Sequence, residues 1–203
     1  MGLEYLNNVV VHRDFITQAE RTTLHDFAIN KFNDGFFGPD KYDFEPTKEN
    51  IEAANKPLRH TYKIHWVDAF NSDPILKLLT TRIMGTMQIH QFKSYAIDPL
   101  LGWLIAIIQP GGFIQTHIDP YDRAERLPLR FKHHRHIRFN VMVNRGDHIS
   151  YSPHIRKKVL DINPCDAWCF PPDKLVHSLP HIQGIEPRIV YQFGFAIDLT
   201  LRE

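Results

Sequence analysis

The amino-acid sequence predicts a mainly β fold, a sandwich or barrel, with helices bracing the outer face of one sheet. Two observations carry this. From about residue 95 onward, short apolar or alternating runs follow one another: WLIAIIQ, GFIQTHID, HIRFNVMVN, HISYS, KKVLDI, DAWCF, LVHSL and RIVYQFGFAID, with turn residues between them. Many short strands at that spacing fit a two-sheet or closed β architecture. Helix-period patterns come first in the chain, and helices that precede a run of strands pack on a sheet face rather than alternating with it. The 203 residues fit one domain, with residues 1–95 as helical support and irregular loop and residues 96–200 as the β core.

Each element has a local reason. In TQAERTTLHDFAINKF (17–32), Thr17 and Glu20 have capping-box spacing, and Leu24, Phe27 and Ala28 form an apolar stripe, so a helix is expected. From Gly35 to about Leu58 the residues are rich in Gly, Pro, Asp and Asn. That reads as a surface excursion with one helical turn near KENIEAA. TYKIHWVD (61–68) reads as a strand. Asp73-Pro74 then supplies an N-cap and a first-turn proline for a second amphipathic helix carrying Ile75, Leu76, Leu79 and Ile83. Trp103 and LIAIIQ read as core, and IRKK (155–158) as a solvated hairpin tip.

Composition narrows the function. Apolar residues make up 43% of the chain and charged residues 23%, which excludes a disordered polymer. A formal net charge of +1 gives no global field toward nucleic acid or membrane. No run is long and apolar enough to span a bilayer. The start, MGLEYL, lacks the pattern of a signal peptide and has Leu6 where a myristoylation signal needs Ser or Thr. The two cysteines, Cys165 and Cys169, flank Trp168 and are expected to be reduced packing residues on one strand of a cytoplasmic protein. Histidine is abundant, with 13 copies. His133, His134 and His136 are expected to form a solvated cationic rim.

The informative stretch is THID (116–119). On a regular strand His117 and Asp119 share one face with Phe113 and Gln115, while Ile114, Thr116 and Ile118 point the other way. A lone His-x-Asp pair is weak evidence and equally fits a surface ion pair. Downstream, His177 ends the next-to-last strand, and Arg188 begins the last one eleven positions later. Two histidines and a carboxylate make the facial triad of non-haem Fe(II) oxygenases, which leaves coordination positions open for substrate. A buried arginine suits an acidic cosubstrate, because its planar fork matches a carboxylate. Along the last strand Arg188, Val190, Gln192 and Gly194 share a face toward a cavity. Ile189, Tyr191, Phe193 and Phe195 share the helix-packed face.

His-x-Asp, His and Arg in this order across residues 103–198 resemble the double-stranded β-helix core, a cupin-like jelly roll, of the Fe(II)/2-oxoglutarate-dependent dioxygenases. The opening DFITQAERTTLHDFA is similar to the first helix of the prolyl-hydroxylase-like branch. The resemblance implies that His117, Asp119 and His177 bind iron and that Arg188 binds the distal carboxylate of 2-oxoglutarate. By likeness to the aspartyl/asparaginyl-hydroxylase-like branch, Arg138 is a second cosubstrate residue, with Arg135 as the alternative; a solvated arginine on an exposed strand is an equal reading. The tyrosine that many members place near the cosubstrate has no good counterpart. The implied cofactors are Fe(II), 2-oxoglutarate and O2, and the implied reaction is hydroxylation with release of succinate and carbon dioxide. Asp119 favours hydroxylation over halogenation, since halogenating relatives replace this carboxylate. The implied substrate is an amino-acid side chain, free or in a peptide. Two rivals remain: a nucleic-acid dealkylase of the same chemistry, and a metal-binding cupin that is not an oxygenase. Substrate contacts are expected from the 35–60 and 120–135 segments, with Tyr121, Asp122 and Arg123 as candidates.

Overall fold

The computed structural model describes residues 8–39, 58–65, 73–88, 95–98, 102–119, 121, 134–146 and 153–198. The KENIEAA turn, the HISYS run, His133, Asp122 and Arg123 lie outside these described residues.

Helix α1 runs Gln18–Asn33 and α2 runs Pro74–Thr86. Both begin where the sequence says they should. The Glu20 N–H donates to Thr17 Oγ1 at 3.2 Å, and the Thr17 N–H donates back to Glu20 Oε2 at 2.8 Å, which satisfies two donors that the first turn would otherwise strand. Asp73 Oδ1 accepts from the Ile75 and Leu76 amides at 3.0 and 3.2 Å, and Pro74 has no N–H to satisfy.

The strands are β1 Val10–His12, β2 Gly38–Pro39, β3 Arg59–Lys63, β4 Tyr95–Ile97, β5 Trp103–Ile108, β6 Ile114–His117, β7 His134–Asn144, β8 His154–Ile155, β9 Lys158–Val159, β10 Ala167–Phe170, β11 His177–Leu179 and β12 Arg188–Asp198. They form two antiparallel sheets. The larger has the order β1-β10-β7-β12-β5-β3-β2, with β4 pairing the far end of β12; the smaller has the order β6-β11-β8-β9. Two sheets with bracing helices fit the sandwich or barrel that the strand spacing predicts and the jelly-roll architecture that the resemblance implies. Short β1, β2 and β4 were not foreseen, because two or three residues carry no periodicity. KKVLDI shortens to β9 because Arg156 and Lys157 take positive φ (53° and 63°) in a two-residue hairpin turn. The chain then leaves the sheet and buries Ile162 completely.

The outer face of the large sheet carries the main core. Ile189, Tyr191, Phe193 and Phe195 of β12 pack with Phe139 and Val141 of β7 and with Leu24, Leu76, Leu79 and Ile83 of the helices. The Tyr191 hydroxyl donates to the Leu24 carbonyl at 2.7 Å. Arg188, Val190 and Gln192 take the opposite face, as the period of two requires. β12 changes partner from β5 to β4 at Gly194. There the Asp98 amide and the Trp103 indole both donate to the Gly194 carbonyl, at 2.9 and 3.1 Å. A Cβ at Gly194 would lie 2.6 Å from Asp98 Cβ and 2.9 Å from the Gly102 carbonyl oxygen, so no larger residue fits without movement.

Cys165 departs from the expected strand position. It sits in the turn before β10 with φ 77°, and its Sγ donates to Gln18 Oε1 at 3.7 Å. The turn exists because Asp166 Oδ2 accepts the Asn163 amide at 2.9 Å, which delays the strand to Ala167. Cys169 is fully buried on β10, both thiols are free, and burial pushes the Cys169 thiol far above its usual range. Among the described residues, no helix is long and apolar enough to cross a membrane.

Candidate metal centre

The site begins at the corner that hands the chain from the large sheet to the small one. Pro110 and Gly111 occupy the middle of a turn closed by the Gly112 amide on the Gln109 carbonyl at 2.9 Å. Gly111 has φ 86°, the conformation such a turn assigns to glycine. β6 follows, and its pairing with β11 shifts register: Ile114 lies opposite Leu179, yet His117 lies opposite His177. Three steps on one strand match two on the other, which is a β-bulge. The expected alternation therefore fails. Ile114 and His117 both turn inward, while Gln115 and Thr116 are exposed.

The bulge brings His117 directly across from His177, with ring centroids 4.2 Å apart. Each ring is aimed by its own backbone. His117 Nδ1 lies 2.7 Å from the Gln115 carbonyl oxygen and His177 Nδ1 lies 2.9 Å from that of Leu175. A carbonyl only accepts, so Nδ1 carries the proton and each Nε2 presents a lone pair inward. Asp119 is fixed by its amide, which donates to the Pro172 carbonyl at 2.9 Å. Its Oδ1 stands 3.1 Å from His117 Nε2 and 3.6 Å from His177 Nε2. One donor atom from each of the three residues falls within 4.8 Å of the others.

Asp119 is completed from behind. Arg138 Nη2 donates to Asp119 Oδ2, and both residues are buried. Burial alone would raise the carboxyl, but the Arg138 guanidinium, with the two histidines, holds Asp119 well below the usual carboxylate range. Burial first, and then the neighbouring His117, lower His177 to about 4, so its imidazole is neutral at physiological pH. His177 Nε2 is buried and has no hydrogen-bond partner among the described residues. Two imidazole nitrogens and one carboxylate oxygen facing one point fit a divalent metal of the imidazole- and carboxylate-binding kind.

His117 and His177 line a cleft between the sheets, whose lining also includes Arg59, Arg138, Asn140, Trp168, Phe170, Arg188 and Gln192. Arg188 is 4% exposed, its carbon Cζ lies 5.8 Å from the Trp168 ring, and it makes no hydrogen bond among the described residues. Burial, and then the nearby Arg59, lower it to about 9. Gln192 Nε2 donates to Asn140 Oδ1 at 3.0 Å, and Asn140 Nδ2 donates to the Trp168 carbonyl at 3.3 Å.

The structure thus gathers His117, Asp119, His177, Arg188 and Arg138 at one cleft. Arg138 is buried rather than solvated, because β7 is sandwiched between β10 and β12. Arg135 shares the period of Ile137 and Phe139, the helix-packed face. Two expectations are corrected. His136 is 3% exposed, stacked on Tyr121 at 3.7 Å with its Nδ1 3.6 Å from Asp98 Oδ2, and is no part of a cationic rim. Tyr121 is buried too, and its hydroxyl donates to Asp98, so it anchors the chain after Asp119 instead of meeting substrate. Arg59, Asn140 and Trp168 were not singled out as cleft residues from the sequence, whereas Gln192 was placed on the cavity side of the last strand. Asn140 carried a signal, as a polar residue two positions from Arg138 in an apolar strand; Arg59 carried none.

A two-sheet barrel opening on His117, Asp119 and His177 has the double-stranded β-helix fold of the Fe(II)/2-oxoglutarate-dependent dioxygenases. Within that fold the chain resembles a Pseudomonas putida prolyl-4-hydroxylase, with TM-score 0.62, 12% identity, and 96% of this chain and 95% of that one covered. It also resembles a Trichoplax adhaerens prolyl hydroxylase solved with a hypoxia inducible factor peptide fragment (TM-score 0.65, 13% identity, 98% and 87% covered). A third neighbour is HygX from Streptomyces hygroscopicus, solved with nickel, 2-oxoglutarate and hygromycin B (TM-score 0.63, 10% identity, 97% and 86% covered). No family model matches the chain, and none of the curated proteins matches it.

Proposed function

We propose that this chain is a single-domain Fe(II)- and 2-oxoglutarate-dependent dioxygenase that hydroxylates an amino-acid side chain, free or within a peptide. The observation that carries the reading is the convergence of Asp119 Oδ1 with two imidazole Nε2 atoms, each imidazole locked by its own backbone carbonyl. His117, Asp119 and His177 would hold the iron. With 2-oxoglutarate and O2 the iron would supply the oxidising chemistry for decarboxylation of the cosubstrate to succinate and carbon dioxide, coupled to insertion of one oxygen atom into a substrate C–H bond.

The chain's own residues do the rest. Arg188 holds the distal carboxylate of the cosubstrate by charge-assisted hydrogen bonds. Arg138 supports Asp119, to whose Oδ2 its Nη2 donates, and its position on the cleft wall keeps its remaining donors within the cosubstrate reading. Trp168 and Phe170, the latter edge-on to His177 with centroids 5.0 Å apart, wall the cleft against water. The peptide bound by the Trichoplax enzyme supports a peptidyl acceptor, and the hygromycin B bound by HygX keeps small-molecule acceptors in the test panel. Two free thiols support a reducing, cytoplasmic setting.

The test starts with anaerobic Fe(II) plus 2-oxoglutarate, followed by the metal-to-ligand charge-transfer band. Succinate release is then measured across amino acids, peptides, methylated oligonucleotides and aminoglycosides. The band and substrate-stimulated succinate are expected, and both vanish in the His117→Ala, Asp119→Ala double variant. Full turnover in that variant overturns the reading. Metal binding with no 2-oxoglutarate turnover points instead to a non-oxygenase cupin.

A further inference from the structure

We propose that Arg59 and Arg188 form a two-guanidinium clamp that closes on one carboxylate, making Arg59 a determinant of specificity for a dicarboxylic acid in the cleft. This deepens the reading above, which assigns that carboxylate to Arg188 alone.

Strand register places the pair. Arg59 of β3 and Arg188 of β12 both lie opposite Ile108 of the intervening β5. Residues directly opposite in an antiparallel ladder project to the same face. Ile108 packs on Leu179 and Ile182 from the small-sheet side of the barrel, so that face is the interior. The two arginines flank Ile108 two strand spacings apart, about 10 Å between Cα atoms, within mutual reach of two long side chains. Both line the same cleft.

Charge then asks for an anion. No carboxylate side chain is among the described residues lining the cleft. Arg138 has its counter-charge in Asp119. Arg188 is 4% exposed, its Nε is buried without a hydrogen-bond partner among the described residues, and its like-charged neighbour Arg59 works against it. A buried cation beside a second cation is costly until an anion sits between them. A carboxylate has two oxygens and about four lone-pair sites, enough to take donors from both forks. An acid without that remote carboxylate leaves Arg188 without its counter-charge.

The experiment measures binding, not turnover, with Zn(II) as a redox-inert stand-in for iron. Calorimetric titrations with 2-oxoglutarate and with 2-oxobutyrate, which lacks the second carboxylate, compare wild type with Arg59→Met, Arg59→Lys, Arg188→Met and the double Met variant. Retained Zn(II) stoichiometry and an unchanged unfolding midpoint confirm that each variant is folded. Arg59→Met should weaken 2-oxoglutarate binding tenfold or more, Arg59→Lys less so, and neither should change 2-oxobutyrate binding. The double variant should lose less than the product of the two single losses, because both residues grip one group. Arg59→Met binding within twofold of wild type overturns the clamp, and so do multiplicative losses, which mean two separate anions. If wild type takes up no 2-oxoglutarate, the oxygenase reading fails first, and glutarate on the metal-free protein then tests the clamp by the same comparison. Failure to bind either acid overturns both.

Discussion

Arg138→Met isolates what the buried guanidinium does for the metal site. Arg138 is 7% exposed and Asp119 9% exposed. After the substitution Asp119 keeps two neighbours, His117 Nε2 at 3.1 Å and His177 Nε2 at 3.6 Å. His177, its Nδ1 held by a backbone carbonyl, titrates only at about 4 and brings no charge at neutral pH to replace the one lost. Removing one partner of a buried ion pair costs about 3–5 kcal/mol, which for a chain of this size lowers the thermal midpoint by roughly 10 °C. Urea unfolding with a chelator present measures this directly. Excess Zn(II) should recover part of the loss, because the ion restores a positive charge beside Asp119. The double variant Asp119→Asn, Arg138→Met should be more stable than the sum of its single changes by about 2 kcal/mol or more, since no lone charge remains. Additive effects, or a metal-free Arg138→Met variant within about 0.5 kcal/mol of wild type, would refute the pairing on the scale measured for surface pairs.

Three other outcomes follow from specific contacts. Gly194→Ala must move Asp98 or the Gly102 backbone and should destabilise by about 2 kcal/mol, read by urea unfolding with metal binding intact. Glu20 is lowered to about 2, first by its hydrogen bond from Arg82 on α2, at 2.6 Å between Arg82 Nη2 and Glu20 Oε1. A depressed carboxyl stabilises above its ordinary value of 4.5 and loses that contribution as pH falls toward about 2. Glu20→Gln should therefore lower the thermal midpoint at pH 7, and its gap from wild type should narrow below about pH 4.5 and close only near about pH 2. Tyr121→Phe removes a buried donor to Asp98 and should cost about 1–2 kcal/mol in the same unfolding assay.

The parts read correctly from the sequence are those that local chemistry dictates. Thr17 with Glu20, and Asp73 with Pro74, fixed both helix starts, because caps act within one turn. The alternation of β12 was legible because both its faces are buried and each must satisfy a different neighbour. His117, Asp119 and His177 were singled out through order and residue type and do converge, yet the geometry that brings them together was not legible. Strict alternation put Ile114 opposite His117, and the bulge that overrules it belongs to the pairing with β11, which no window of β6 contains. Arg138 looked surface-borne for the same reason: what buries it is β10 and β12, far away in the chain. His136 and Tyr121 were misjudged because Asp98, which meets them both, arrives from another edge of the sheet.

The carbonyl tethers on the two histidines reach beyond their role in choosing a tautomer. Each ring takes its aim from the peptide unit two residues before it, so the nitrogen pair is set when the strands form, before any ion arrives. Little side-chain freedom is left to lose on capture, and the socket should load without a ring flip. Exchanging one divalent ion for another would then change the chemistry while leaving the imidazoles where the backbone put them.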